Sequence, residues 1–311
     1  MKKEIAIAAL GELLIDFTEA GQSKDGRRLF EQNPGGAPAN LLAAAAKFGR
    51  KTAFIGKVGK DMHGDFLKET LIRAGINTDN LIQDEKYFTT LAFVSLKENG
   101  EREFAFARKP GADTNLCMKE IDPEILENTR VFHVGSLSLT DDPSRTATYE
   151  AINIARNSGA VISYDPNYRA ALWSDPETAQ LRMQSLIPYV DMMKISDEET
   201  SLLTPYQDPE EAIQYLLRQG VHLVAVTLGR DGALIGNENG IIKAEGFSSH
   251  AVDTTGAGDS FWGGFLASYL QEETSPEHLT RAQMIQFGRV GNAVASLCVE
   301  RRGGNSGDGG D

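Results

Sequence analysis

Cysteine is nearly absent from this 311-residue chain: Cys117 and Cys298 stand alone, with no C-x-x-C pair. Two isolated thiols are too few for a disulfide framework or a structural zinc site. The five histidines, His63, His133, His222, His250 and His278, show no metal-ligand spacing. Positive charge is in the minority, 31 Lys and Arg against 44 Asp and Glu, for a formal net charge of -13. That balance excludes a general binder of nucleic acid or of anionic membranes. It leaves room for ATP, which binds as a metal complex in a locally favourable pocket. No apolar run approaches the roughly 18 residues of a membrane span. The run after Lys2-Lys3 is short and broken by Glu12, so no signal peptide is supported and a cytoplasmic protein is expected. There is no Walker A run, and no G-x-G-x-x-G leads from a strand into a helix, which excludes a P-loop kinase and a dinucleotide enzyme.

What is present is a 41% hydrophobic content, enough for one large α/β domain with a small appendage. The chain is organised around Val252-Asp253-Thr254-Thr255-Gly256-Ala257-Gly258-Asp259-Ser260-Phe261. From Trp262 to Leu270 the apolar residues recur around the whole cylinder, as in a buried helix. Gly256-Ala257-Gly258 is therefore predicted to lead into a helix N-terminus, with Asp259 in the first turn. Unpaired N–H groups and the positive end of the helix dipole suit an anion there, and the small residues let a phosphate approach the backbone. Asp259 is either a first-turn carboxylate complementing the dipole or a base that takes the proton of an attacking hydroxyl.

Ile5–Leu10 reads as a buried parallel strand. Asp16 follows in Leu13–Phe17, either a strand-edge carboxylate facing water or an acceptor for the hydroxyls of a ligand. Residues 21–31 read as a hairpin turn and return strand, and Leu91–Leu96 with Arg102–Phe106, joined by Glu98-Asn99-Gly100, as a second hairpin. These four strands, within about 13–32 and 90–108, are expected to form a small lid sheet. Gly35-Gly36 precedes an alanine-rich helix ended by Gly49, with Asn40 in its first turn. Thr52–Val58 is read as a strand and Met62–Ala74 as a helix. From residue 130 the chain settles into βα units: strands at 131–134, 161–164, 190–195 and 223–226, and helices at 142–158, 177–186 and 280–299. The helix at 142–158 is read as starting with Asp142 as N-cap and Pro143 at N1. Asp165 and Arg169 fall at the carboxyl end of a strand, where ligands of such sheets bind. Arg108, directly after the second hairpin, is either a surface arginine or a donor to a ligand.

Asp253-Thr254-Thr255-Gly256-Ala257-Gly258-Asp259 resembles the C-terminal signature of the ribokinase-like (PfkB-type) sugar kinases, and Gly35-Gly36-Ala37-Pro38-Ala39-Asn40 with Gly56 and Gly59 resembles the other signature of that family. The resemblance covers residues 4–304 and lies closest to the fructokinase branch, through Ala9–Phe17, Phe54–Gly59, Tyr164–Arg169 and Lys194–Glu199. It implies a three-layer α/β/α sandwich with a mostly parallel sheet and a β-sheet lid, over residues 1–304; the tail at 305–311, all Gly, Asp, Ser and Asn, is expected to be flexible from its composition. The resemblance implies ATP-dependent phosphorylation of fructose to fructose 6-phosphate. A 2-keto-3-deoxygluconate kinase, a ribokinase and a catalytically silent sugar- or nucleotide-binding regulator are the alternatives. By resemblance, Asp259 is the base and Gly256, Ala257 and Gly258 form the anion hole. Asp16, Gly35, Gly36, Asn40, Phe106, Arg108 and Arg169 face the sugar or the transferring phosphate. Lys194, Thr227, Gly229, Gly232 and Asn292 match the nucleotide side. Glu199 matches the family's magnesium-organising glutamate, acting through water, although Ser196 stands where that motif has Asn. Asp253 and Thr255 match a monovalent-cation site of some members, but the Gly/Asp-rich tail replaces its C-terminal ligands, which argues against potassium activation. A homodimer through the lid is expected, because the lid's outer faces and edges need cover.

Overall fold

A computed structural model describes residues 3–96, 102–248 and 254–300. The elements run β1 (Ile5–Leu10), β2 (Leu14–Gln22), β3 (Arg28–Gly35), α1 (Ala37–Ala46), β4 (Thr52–Gly59), α2 (Met62–Arg73), β5 (Ile76–Asp84), β6 (Leu91–Leu96) and β7 (Arg102–Ala107). They continue with α3 (Pro123–Glu127), β8 (Thr129–Val134), α4 (Ser144–Asn157), β9 (Val161–Tyr164), α5 (Pro176–Ser185), β10 (Met192–Ser196), α6 (Thr200–Leu203) and α7 (Pro209–Arg218). The last are β11 (Leu223–Thr227), β12 (Ala233–Asn237), β13 (Gly240–Ala244), α8 (Ala257–Tyr269) and α9 (Arg281–Val299).

The apolar run of β1 becomes a central strand because both its faces are covered. Nine strands order as β13-β12-β11-β10-β9-β8-β1-β4-β5, parallel except where β12 runs against β11 and β13. Alternate residues of β1 face opposite layers. Ile7 and Ala9 pack with α1, α2, α8 and α9, whereas Ala8 and Leu10 pack with α3, α4, α5 and α7. The three-layer α/β/α arrangement follows. Asp61, Asp122, Asp175, Asp208 and Thr280 cap the N-termini of α2, α3, α5, α7 and α9 through their side chains.

The lid is a separate four-stranded sheet, ordered β3-β2-β6-β7. Two antiparallel hairpins, β2–β3 and β6–β7, join through parallel pairing of β2 with β6. The turn expected at Glu98-Asn99-Gly100, the tail 305–311 and Asp253 lie outside the described residues. The start of the fourth helix differs from expectation. The fourth helix begins at Ser144, and Pro143 occupies its N-cap position with φ -87°, so Pro143 is not at N1. Asp142 instead accepts from the Thr146 hydroxyl at 2.8 Å, one turn further on. Among the described residues, no helix is long and apolar enough to cross a membrane.

Candidate active site

Every residue of α8 from Asp259 to Tyr269 is buried, which lets the helix run beneath the sheet with its N-terminus at the carboxyl ends of the parallel strands. Gly256 is the N-cap and takes a left-handed φ of 75°, a conformation that suits glycine. Among the described residues no side chain caps this end. Ala257 N–H donates to the Thr254 carbonyl at 3.3 Å, so one of the first-turn donors is engaged within the turn. The N–H groups of Gly258 and Asp259 belong to the set that has no partner further up the helix. The helix α1 begins beside them, where Asn40 in its first turn reaches Asp259. Its N-cap, Gly36, has φ 123°, and a Cβ there would meet the Glu12 carbonyl oxygen at 2.4 Å. Packing is equally close along the two axes: a Cβ at Gly263 of α8 would fall 2.5 Å from the Leu41 carbonyl of α1.

Asp259 is only 7% exposed. Asn40 Nδ2 donates to its Oδ2 at 2.9 Å, and Asn167 Nδ2 approaches its Oδ1 at 3.4 Å. Burial pushes the carboxyl up to about 6 from its usual 3.8, and the Asp165 carboxylate adds to this; Lys194, the Asn40 hydrogen bond and Arg169 act in the opposite direction. Lys194 Nζ pairs with Asp165 at 2.9 Å, both side chains buried. Burial alone would lower the lysine, but Asp165, Glu199 and Asp259 together hold it above its ordinary value. It lies against the helix start, since a Cβ at Gly258 would be 2.6 Å from its Nζ. A carboxylate, an ammonium and uncapped amides thus meet at one point.

The other expected residues fall in three places. Asp16, on β2, lies against Gly35, where a Cβ would come 2.3 Å from its Oδ2. With Gly36 and Asn40 it lies between the lid and α1. Phe106, on β7, stacks on Phe104 at 6.2 Å between ring centres. Arg108 is 5% exposed, and its guanidinium is engaged by Asp113 at 2.7 Å, the Thr140 hydroxyl at 3.0 Å and the Leu137 carbonyl at 2.9 Å. It ties the end of the lid to the segment after β8. The second group surrounds a 440 Å³ cavity lined by Tyr168, Arg169, Ser196 and Glu199 among others. Arg169 is exposed there. Glu199 braces two loops, accepting from Tyr168 N–H at 2.8 Å and from Ser196 N–H at 2.9 Å and its hydroxyl at 3.1 Å. The third group lies at the ends of β11 and β13. Thr227 Oγ1 donates to the Ile195 carbonyl at 3.4 Å. Gly229 and Gly232 have φ of 56° and 95°. A Cβ at Gly232 would meet the Ala244 carbonyl at 2.1 Å, and Asn292 Nδ2 donates to Ala244 and Glu245 carbonyls at 2.9 and 3.0 Å. Thr255 is exposed, and its carbonyl accepts from Cys298 Sγ at 3.7 Å. Among the described residues no three His, Cys, Asp or Glu side chains converge to hold a metal ion.

Two site residues carried no role in the sequence reading. Asn167 is, among the described residues, the non-glycine with positive φ, 45°, which aims its amide at Asp259. The signal was its place between Asp165-Pro166 and Arg169, since Asn tolerates the left-handed region. Glu12, 4% exposed, accepts from Ala37 N–H at 3.0 Å at the start of α1, and burial pushes it up to about 7.

Residues 5–308 match the pfkB family carbohydrate kinase profile. The chain is 37% identical over 300 residues to a probable fructokinase-2 of Arabidopsis thaliana, covering 96% of this chain and 91% of the relative. A crystal structure of fructokinase with bound ATP from Xylella fastidiosa superposes with a TM-score of 0.88 at 31% identity, covering 97% of this chain and 94% of that one. A fructokinase from Vibrio cholerae O395 in a fructose, ADP and calcium ion bound form gives a TM-score of 0.87 at 32% identity, covering 98% and 96%.

Proposed function

This chain belongs to the pfkB family of carbohydrate kinases, and we propose that it transfers the γ-phosphoryl group of ATP to the 6-hydroxyl of fructose with Asp259 as general base. The observation that carries the reading is the position of Asp259, buried between Asn40 and Asn167 at the uncapped start of α8, with Lys194 beside Gly258. Phosphoryl transfer requires little covalent chemistry from a protein; it requires positioning and charge neutralisation. In the proposed step the sugar hydroxyl oxygen forms a bond to the γ-phosphorus, its proton passes to an Asp259 oxygen, and the bond to the ADP oxygen breaks. The charge on the transferring group faces the Gly256–Gly258 amides, a preorganised hole that needs no rearrangement. Lys194, fixed by Asp165, adds a positive charge at the same place. Arg169 stands on the other side, next to the 440 Å³ cavity assigned to the phosphates.

The sugar is assigned to Asp16, Gly35, Gly36 and Asn40, with Phe106 on the lid and Arg108 anchoring the lid's last strand. Thr227, Gly229, Gly232 and Asn292 are assigned to the nucleotide side. The donor set suits Mg²⁺ that arrives with the nucleotide: two carboxylates, Glu198 and Glu199, line the cavity, and among the described residues no three His, Cys, Asp or Glu side chains form a cage there. Mg²⁺ keeps its waters and binds through one or two carboxylates plus substrate phosphates. When bound, it would neutralise the phosphate oxygens. The lid supports a homodimer, because Leu29, Phe30, Phe93 and Phe104 leave 38–46% of their surface exposed on it. Light scattering at micromolar concentration should give twice the chain mass; a monomer would contradict this part of the reading.

The substrate assignment is tested by coupled ADP release with MgATP and a panel of fructose, ribose, 2-keto-3-deoxygluconate, glucose and adenosine. Fructose is expected to exceed every other acceptor at least tenfold in kcat/KM. A tenfold preference for 2-keto-3-deoxygluconate or ribose would overturn fructose while leaving the chemistry at Asp259 in place.

A further inference from the structure

At the opposite end of α8 from Asp259, the amino ends of β1, β8 and β9 surround a second cavity of about 540 Å³. Lys3, Arg50, Arg130 and Tyr269 line it, with Glu272 and Glu273 also on its wall. We propose that this cavity is a binding site for a small phosphate-bearing molecule, separate from the site that holds Asp259.

The argument begins with charge. The chain carries 44 acidic and 31 basic residues, and its buried cations have carboxylates: Lys57 with Asp84 and Glu120, Arg108 with Asp113, and Lys194 with Asp165. Among the described residues, Lys3, Arg50 and Arg130 form no ion pair. The Lys3 ammonium nitrogen is buried and makes no hydrogen bond. A buried, unpartnered ammonium is unfavourable unless a counter-charge reaches it. Burial, and then the nearby Arg130, hold the Arg50 guanidinium below its ordinary value. Two guanidiniums and an ammonium are therefore gathered with no carboxylate in ion-pair contact, although Glu272 and Glu273 share the wall.

The helix accounts for part of this arrangement. Arg50 Nε donates to the Ala267 carbonyl at 3.0 Å, and Arg130 donates to the Leu270 and Glu272 carbonyls at 3.0 and 3.3 Å. Cations at a helix C-terminus complement its dipole. These contacts fix the two guanidiniums and use only some of their N–H donors; they use none of those of Lys3. The remaining donors match the oxygens of a phosphate, for which arginine forks are well shaped. Tyr269 supplies a phenol on the same wall. Glu272 and Glu273, and the acidic balance of the chain, disfavour an extended polyanion, and the volume fits a metabolite. The ligand class is thus a monophosphate of small size, free or organic.

Calorimetric titration of the full chain tests this, with the active site first filled by fructose and a non-hydrolysable ATP analogue. Inorganic phosphate and glycerol 3-phosphate are titrated separately. At least one is expected to bind with a stoichiometry near one. Tighter binding of glycerol 3-phosphate identifies an organic phosphate as the ligand, and tighter binding of inorganic phosphate identifies the free ion. Lys3→Gln should weaken the binding at least tenfold, and Arg130→Gln as well where melting shows it folded. Asp259→Asn should leave it unchanged. Absence of binding by both probes once the active site is filled, or binding undiminished by Lys3→Gln, overturns the proposal.

Discussion

Replacing Asp259 with Asn keeps the shape of the side chain and an acceptor oxygen for Asn40 while removing the group that takes a proton. General-base catalysis contributes roughly 10²–10⁴ in rate, so turnover should fall by that factor, about 3–5 kcal/mol of barrier. Nucleotide affinity should change by less than about threefold, because the amides of Gly258 and residue 259 and the Lys194 charge remain. The wild-type pH profile carries the same reasoning further. Burial and Asp165 hold the Asp259 carboxyl at about 6, so kcat/KM should drop tenfold per pH unit below about pH 6 and level off above it. Asp165→Asn removes the carboxylate that raises Asp259 and frees Lys194 to lower it, so this acid limb should move to lower pH. Initial rates by coupled ADP release between pH 4.5 and 8.5, with nucleotide binding measured separately, check each statement. Asp259→Asn with more than a tenth of wild-type turnover, or an acid limb that stays in place in Asp165→Asn, would refute the assignment of the base.

Other outcomes follow from the same packing. Glu12 is held at about 7 in the fold against its usual 4.5, so between these values the folded chain keeps a proton that the unfolded chain releases. Its ionisation therefore opposes folding increasingly as pH rises towards 7. Glu12→Gln should add roughly 3 kcal/mol of stability at pH 8 but less than about 1 kcal/mol at pH 5, as read by denaturant unfolding at the two pH values; an equal gain at both would refute it. Gly258→Ala drives a methyl against the Lys194 ammonium, 2.6 Å from the ideal Cβ, and Asp165 limits how far that lysine can move. Turnover should fall at least tenfold while the melting temperature changes by only a few degrees, and unchanged turnover would show that the anion hole tolerates a filled approach.

The sequence made the central elements legible where burial leaves a simple pattern. β1 reads as a strand because it is apolar on both faces, and α8 reads as a buried helix because its apolar residues surround the axis. The lid appeared as two hairpins outside the βα rhythm. Three strands went unread. β5 mixes polar and apolar residues, Ile-Asn-Thr-Asp-Asn-Leu-Ile-Gln-Asp, because it is the outermost strand and half-solvated. β12 and β13 are five residues each, too short for a period, although Gly240 marks their turn with φ 102°. The helix α7 also went unread, despite the Asp208-Pro209 start that caps it; the same pair at Asp142-Pro143 does not begin a helix in the expected register. At the site, Asp259 and its glycines were visible because local backbone geometry demands them. Its partners were not assigned as such: Asn40 lies 219 positions away and Asn167 lies 92. Nor does a sequence show burial, which sets the proton affinities of Asp259 and Glu12 and which joins Arg108 to Asp113.

The most direct test of the whole account is the identity of the product. Incubation of the chain with MgATP and fructose, followed by ³¹P and ¹³C NMR, should show fructose 6-phosphate formed in one-to-one proportion with ADP. Phosphate on another hydroxyl, or ADP formed without any sugar phosphate, would contradict the placement of the acceptor hydroxyl against Asp259.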